Sequence, residues 1–155
     1  MPEIEPYDEW FQSGNTVNGV SNIYTSGAYV ALGGRGGTVL AVSDPAAATV
    51  CLFDKDGPMW EQRGEDLKGP IGSNFGFTIS LTTGESENVT MNKYSAPIVT
   101  LSVGAFGFVR VYKCQKVGCE QIGDIILDGD TTSVSLSRGE IPLHFIPHDR
   151  QYYLG

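Results

Sequence analysis

One five-residue pattern occurs three times in this chain of 155 residues: Trp10-Phe11-Gln12-Ser13-Gly14, Trp60-Glu61-Gln62-Arg63-Gly64 and Cys119-Glu120-Gln121-Ile122-Gly123. A further glycine follows each copy, at Gly19, Gly69 and, one residue later, Gly129. Recurrence at this spacing restricts a chain to architectures assembled from like units. The pattern therefore sets the register in which the rest of the sequence is read.

Downstream of each copy lies a short stretch with period-two alternation: Ala28-Tyr29-Val30-Ala31-Leu32, Phe77-Thr78-Ile79-Ser80-Leu81 and Thr132-Ser133-Val134-Ser135-Leu136. Alternation puts Phe77, Ile79 and Leu81 on one face and the small or polar residues on the other, the mark of a half-buried strand. A glycine-containing turn and a second apolar stretch follow: Val39–Val42, Ile98–Val103 and Ile141–Ile146. A third comes next, at Val50–Phe53, Val109–Tyr112 and, more weakly, Tyr152–Leu154. From Val50 to Trp60 and from Val109 to Cys119 the distance is the same ten residues, which predicts a hairpin from the third strand into the Trp/Cys-x-Gln-x-Gly strand. Four strands per unit result, A to D in chain order.

The expected organisation is an N-terminal tail over residues 1–9 and a single all-β repeat domain over 10–155. Within it a leading strand D (10–19) precedes unit one (26–69), unit two (75–129) and a trailing unit three (132–155) that lacks its own D. If the ends meet, segment 10–19 completes unit three. Units of this size with four short antiparallel strands match propeller blades, and sharing strands between termini would hide exposed edges. Three blades are fewer than the usual roughly four to eight. The chain is thus expected to be part of a larger propeller, to close a ring with a second chain, or to pack differently. A β-trefoil or β-prism is the alternative of the same size. No window sustains helical spacing of apolar residues, and Thr82–Pro97 reads as a surface insertion in unit two.

Composition agrees with many short strands and turns, with 20 glycines, 8 prolines and only 18% charged residues. The 10 basic residues are scattered and outnumbered by 18 acidic ones, giving a net charge of −8. Nucleic acid is therefore not an expected partner, because it demands clustered Lys and Arg. No apolar run approaches the roughly 20 residues that span a bilayer. The opening Met1-Pro2-Glu3-Ile4-Glu5 is acidic where a secretory signal is basic and then apolar, so neither a signal peptide nor a membrane span is expected in this chain. Compartment stays open.

The segments Val109-Arg110-Val111-Tyr112, Cys119 to Gly123, Trp60-Glu61-Gln62-Arg63-Gly64-Glu65-Asp66-Leu67-Lys68-Gly69 and Phe75-Gly76-Phe77-Thr78-Ile79-Ser80-Leu81 resemble the blades of FG-GAP-like β-propeller proteins, including large families in marine algae. The resemblance runs from Trp10 to Leu136, and unit two fits best. Unit three departs from it, with Cys119 in place of tryptophan before it and a shortened segment between Gly129 and Thr132. The multi-carboxylate calcium loop of some such blades is missing. The resemblance implies a propeller fold and a binding or scaffolding role toward a protein or glycan, in a parent protein that is extracellular or membrane-anchored.

No catalytic constellation stands out, and no enzyme activity, cofactor or metal is expected. Gly33-Gly34-Arg35-Gly36-Gly37 lacks the Lys-Ser/Thr of a phosphate loop and reads as the A-to-B turn. Asp54-Lys55-Asp56-Gly57 and Asp128-Gly129-Asp130 supply too few oxygens for calcium, and Asp56-Gly57 sits at the C-to-D turn. His144 and His148 flank Pro147; in a strand they lie about 13 Å apart, too far to share a zinc ion. Neither histidine is accompanied by a Gly-x-Ser-x-Gly elbow. Cys114 and Cys119 flank the C-to-D turn of unit two and either form a cross-strand disulfide or stay as free thiols. Asn88-Val89-Thr90 is a glycosylation sequon with meaning only on the secretory path. The recurring residues Trp10, Gln12, Gly14, Trp60, Gln62, Gly64, Cys119, Gln121 and Gly123 are expected to be structural, with both tryptophans packing. The functional expectation is a non-enzymatic propeller-type module, with a lectin-like trefoil or prism and, more remotely, a hydrolase on a propeller scaffold as alternatives.

Overall fold

The computed structural model describes residues 10–18, 28–84, 97–127, 133–136, 143–145 and 152–154. These residues are all-β, in two antiparallel five-stranded sheets and one hairpin. The first sheet contains β1 (Tyr29–Gly33), β2 (Val39–Asp44), β3 (Thr49–Asp56) and β4 (Met59–Gln62) in that order, with β5 (Leu67–Lys68) also paired to β3. The second has the same order: β6 (Thr78–Gly84), β7 (Ile98–Ala105), β8 (Phe108–Gln115) and β9 (Gly118–Gln121), with β10 (Ile126–Leu127) also on β8. A separate hairpin pairs β11 (Leu143–Phe145) with β12 (Tyr152–Leu154).

The fourth strand is not one continuous element. It breaks after Gln62 and after Gln121, and in both sheets the residue at the break, Arg63 or Ile122, donates its N–H across to the third strand, to Leu52 O or Val111 O at 2.8 Å. The motif glycine causes the break: Gly14, Gly64 and Gly123 all have positive φ, at 98°, 64° and 71°, a conformation costly for any residue with a Cβ. The motif glutamine reinforces the bend. Gln12 and Gln121 donate from Nε2 to the carbonyls of Gly14 and Gly123 at 2.9 and 3.1 Å, while Gln62 reaches Asp66 Oδ1 at 2.7 Å. The motif thus encodes a local bend that recurs in all three copies.

Register fixes which faces meet. Cross-strand partners Val30, Val42 and Cys51 in the first sheet occupy the positions of Ile79, Val103 and Arg110 in the second, and Leu32, Leu40 and Phe53 those of Leu81, Leu101 and Tyr112. The core lies between the sheets, where Val39, Ala41, Val50 and Leu52 meet Val99, Leu101, Val103 and Tyr112. Full burial of such side chains contributes about 1.5–3 kcal/mol each. The opposite face of the second sheet carries Val109 and Val111, covered by Val134 and Leu136. There Thr78 Oγ1 and Ser80 Oγ accept the N–H groups of Val134 and Leu136 at 3.2 and 3.0 Å.

Residues 10–18 and 133–136 depart from the expected strands: neither segment forms one. Residues 10–18 are fastened instead by side chains. Trp60 donates from Nε1 to Ser13 O at 3.0 Å and from its backbone N–H to Asn15 Oδ1 at 2.6 Å, and Lys55 Nζ bonds Ser13 Oγ. Lys55 alternates with Asp54, which faces the second sheet, so this segment lies on the outer face of the first sheet. Segment 133–136 lies on the far face of the second sheet. The order is therefore residues 10–18, first sheet, second sheet, residues 133–136, and among the described residues the two segments do not meet to complete one unit. The sequon at Asn88, the Asp128–Asp130 pair and His148 fall outside the described residues; His144 lies in β11.

Candidate functional site

Two constellations join the sheets at opposite ends of their strands. The first centres on Arg63, a fully buried arginine at the bend after β4. Its Nε donates to Asp54 Oδ2 at 2.8 Å and its Nη2 to Asp54 Oδ1 at 2.5 Å, a two-pronged pairing that matches guanidinium to carboxylate. The remaining Nη1 donates across to the second sheet, to Pro97 O at 2.7 Å and Cys114 O at 3.2 Å. Every prong is used in holding protein to protein. Asp54 thereby leaves the acidic Asp54–Asp56 stretch as an ion-pair partner, and Gly57, with φ 54°, makes the β3–β4 turn.

Near the same end, equivalent positions carry different chemistry. In the first sheet the cross-strand partners Lys55 and Trp60 place the ammonium 5.7 Å from the ring centroid. In the second the same positions hold Cys114 and Cys119, joined as a disulfide with Cα atoms 4.0 Å apart. A neighbouring copy of the motif sits on each: a Cβ at Gly14 would fall 2.7 Å from Trp60 Cδ1, and one at Gly64 would fall 2.9 Å from Gly118 Cα. Trp60 therefore packs, whereas Trp10, expected from the recurrence to pack likewise, is fully exposed and Phe11 nearly so. Trp10 has the motif's sequence but, among the described residues, no third strand beside it to pack on.

Cys51 is a free, buried thiol whose Sγ lies 3.1 Å from Asp66 Oδ1. Burial, the hydrogen bond to Asp66 and the charges of Asp66 and Asp44 push it up to about 12 from 9.0. A thiol so protonated is a poor nucleophile. Iodoacetamide in mildly alkaline buffer is expected to leave Cys51 unmodified in the folded chain and to label it on unfolding, read by intact mass. As pH rises past 9.0 the unfolded chain ionises first, so stability is expected to fall between 9.0 and about 12 and to be unaffected by this group below 9.0.

The second constellation is an aromatic row at the other end, where β1 and β6 begin and β7 turns into β8. Phe77 stands between Tyr29 and Phe106, with ring centroids 5.3 and 5.2 Å away. The turn bearing Phe106 is tied to the preceding loop by its N–H to Ser73 O at 3.0 Å, and Gly76 donates to Gly104 O at 3.0 Å. Phe106 is more than half exposed, Tyr29 partly so, and Ile71 in the adjoining loop is fully exposed. Neighbouring rings of the row are tilted by 58° and 54°, and the exposed ring faces of Phe106 and Tyr29 can stack against an apolar ligand face. Spacing alone did not reveal it, since its rings come from different positions of the units; nor did it single out Arg63, although that residue is the one charged group between the motif's glutamine and glycine.

Residues Gly33–Gly37 form the β1–β2 turn, with Gly37 N–H donating to Gly34 O at 3.2 Å and positive φ at Gly34, Gly36 and Gly37. Among the described residues no group of three or more His, Cys, Asp or Glu is placed to hold a metal ion, and no helix is long and apolar enough to cross a membrane. Compared with known proteins, the chain matches no family model, no curated protein and no solved structure.

Proposed function

We propose that this chain is a non-enzymatic binding module of the propeller type, akin to the FG-GAP-like blades it resembles, presenting a protein or glycan partner with a rigid loop-bearing end. The observation that carries this reading is the face-to-face stack of two sheets with one strand order, in which equivalent positions meet at successive interfaces. A meander of four strands per sheet favours blades over a β-trefoil, where hairpins gather about a threefold axis. The non-enzymatic part rests on the sequence, which holds no recurring carboxylate or histidine cluster for a hydrolase on such a scaffold.

Within this reading the row of Tyr29, Phe77 and Phe106 is the contact surface, and stacking of a sugar's apolar face on aromatic rings is the interaction it suits best. A glycan array probed with the chain and with Phe106→Ser tests this. Binding that weakens roughly tenfold in the variant, a loss of ~1.4 kcal/mol, is the expected outcome. Equal binding by the two would remove this surface from the proposal, and a blank array together with capture of a protein partner would leave the protein-binding form.

A further inference from the structure

We infer that the β1 edge of the first sheet's outer face docks residues 133–136 of a second copy of this chain, so that two copies join head to tail into one closed ring. The inference rests on the propeller-type reading and names the partner of a face that reading leaves open.

Three equivalent pairs of residues carry it: Val30 and Leu32 in β1, Ile79 and Leu81 in β6, and Val134 and Leu136. Ile79 and Leu81 pack into the core beneath the first sheet, with Leu81 so close to β1 that a Cβ at Gly33 would overlap its Cδ1. Val134 and Leu136 are each 9% exposed against the second sheet. Val30 and Leu32 are 62% and 63% exposed. The same contact is thus made twice and, among the described residues, left open once, at the β1 edge of a face whose third-strand residues Cys51 and Phe53 are already buried.

The complementary surface is present at the other end of the stack. Thr78 and Ser80, which alternate with Ile79 and Leu81, offer their hydroxyls to the backbone of the next segment. Ser133 and Ser135 occupy the same positions beside Val134 and Leu136, and both are exposed. Continuing the existing interface by one step therefore brings Ser133 and Ser135 of one copy onto Val30 and Leu32 of another. Residues 10–18 already lie on that outer face, with Gly14 against Trp60 as Gly64 lies against Gly118. They stand where the fourth strand of the incoming unit belongs.

The number of copies follows from ring size. Three units per chain are too few for a usual ring, two copies bring six, within the roughly four to eight blades typical, and three copies exceed it. A heterologous contact that closes after two copies is a twofold-symmetric dimer.

Light scattering behind size exclusion tests this on the full chain. The expected mass is twice 16.7 kDa. Leu32→Asp and Ser135→Arg, both on surfaces exposed in the single chain, are each expected to halve it with an unchanged circular dichroism spectrum; Val30→Lys replaces Leu32→Asp if that variant does not fold. An equimolar mixture of the two variants is expected to regain the dimer, because one junction is then native and Asp meets Arg at the other. A monomer at every attainable concentration, a species larger than a dimer, a dimer of either variant alone, or a mixture that stays monomeric would overturn the inference. A monomer that still binds through Phe106 would leave the propeller-type reading standing while sinking the dimer.

Discussion

Asp54→Ala is expected to lower the unfolding free energy by about 2–4 kcal/mol, because it strands the buried Arg63 guanidinium without its carboxylate, a cost moderated by the 23% exposure of Asp54 that lets water into the vacated position. Urea unfolding measures this as a drop in midpoint at constant slope. The cost should depend little on salt, since a buried pair is only weakly screened. Two companions sharpen it. Lys55→Ala, one residue along and on the opposite face, removes a cation–ring contact and the exposed bond to Ser13 Oγ and is expected to cost about 1 kcal/mol. The double variant Asp54→Leu with Arg63→Met removes both charges and should recover much of the loss, short of what Pro97 O and Cys114 O forfeit in donors. If Asp54→Ala costs no more than Lys55→Ala, the pair does not clamp the sheets.

Phe75→Ala is expected to cost a comparable ~3–5 kcal/mol, the range for removing a large aromatic from a closed core. Phe75 is fully buried, stands edge-on to Tyr112 with centroids 6.3 Å apart, and lies so near Gly69 that a Cβ there would sit 2.3 Å from its own. Neighbours so tightly placed have little room to collapse into the cavity. Thermal unfolding by circular dichroism reads the effect as a lower melting temperature with native strand content below it. A loss under about 1 kcal/mol would mean that the loop before β6 repacks, and that this residue does not anchor the second sheet to the first.

Much of the strand inventory was legible in the residues. The alternation at Phe77–Leu81, the apolar run at Ile98–Val103 and the Val-x-Val-Tyr at Val109–Tyr112 became β6, β7 and β8 with ends shifted by a few residues, because period-two patterning reports a face that must be buried. The constant ten-residue step from third strand to motif likewise became the two hairpins β3–β4 and β8–β9. The break in the fourth strand was less legible. Its signal, the motif glycine, marks positive φ, but the Leu67–Lys68 and Ile126–Leu127 pieces beyond it carry too little pattern to be seen as strands.

Of the candidate sites, the turns could be read in advance because glycine there answers a purely local demand of the backbone. Arg63 could not be, since what singles it out is the coincidence of Asp54, Pro97 and Cys114 around one guanidinium. The aromatic row escaped for the same reason: Tyr29, Phe77 and Phe106 are neighbours only once the sheets are stacked.

The threefold motif, by itself, dictated a bend and a register, because both arise from interactions within a few residues or across one hairpin. It did not dictate whether a copy becomes a strand or what its neighbours cover. Trp10 and Trp60 share one pattern, yet one is bare and the other packed; Leu32, Leu81 and Leu136 share another, yet only Leu32 stands open. Burial and backbone pairing are properties of two surfaces, and only the tertiary arrangement says where the second surface is.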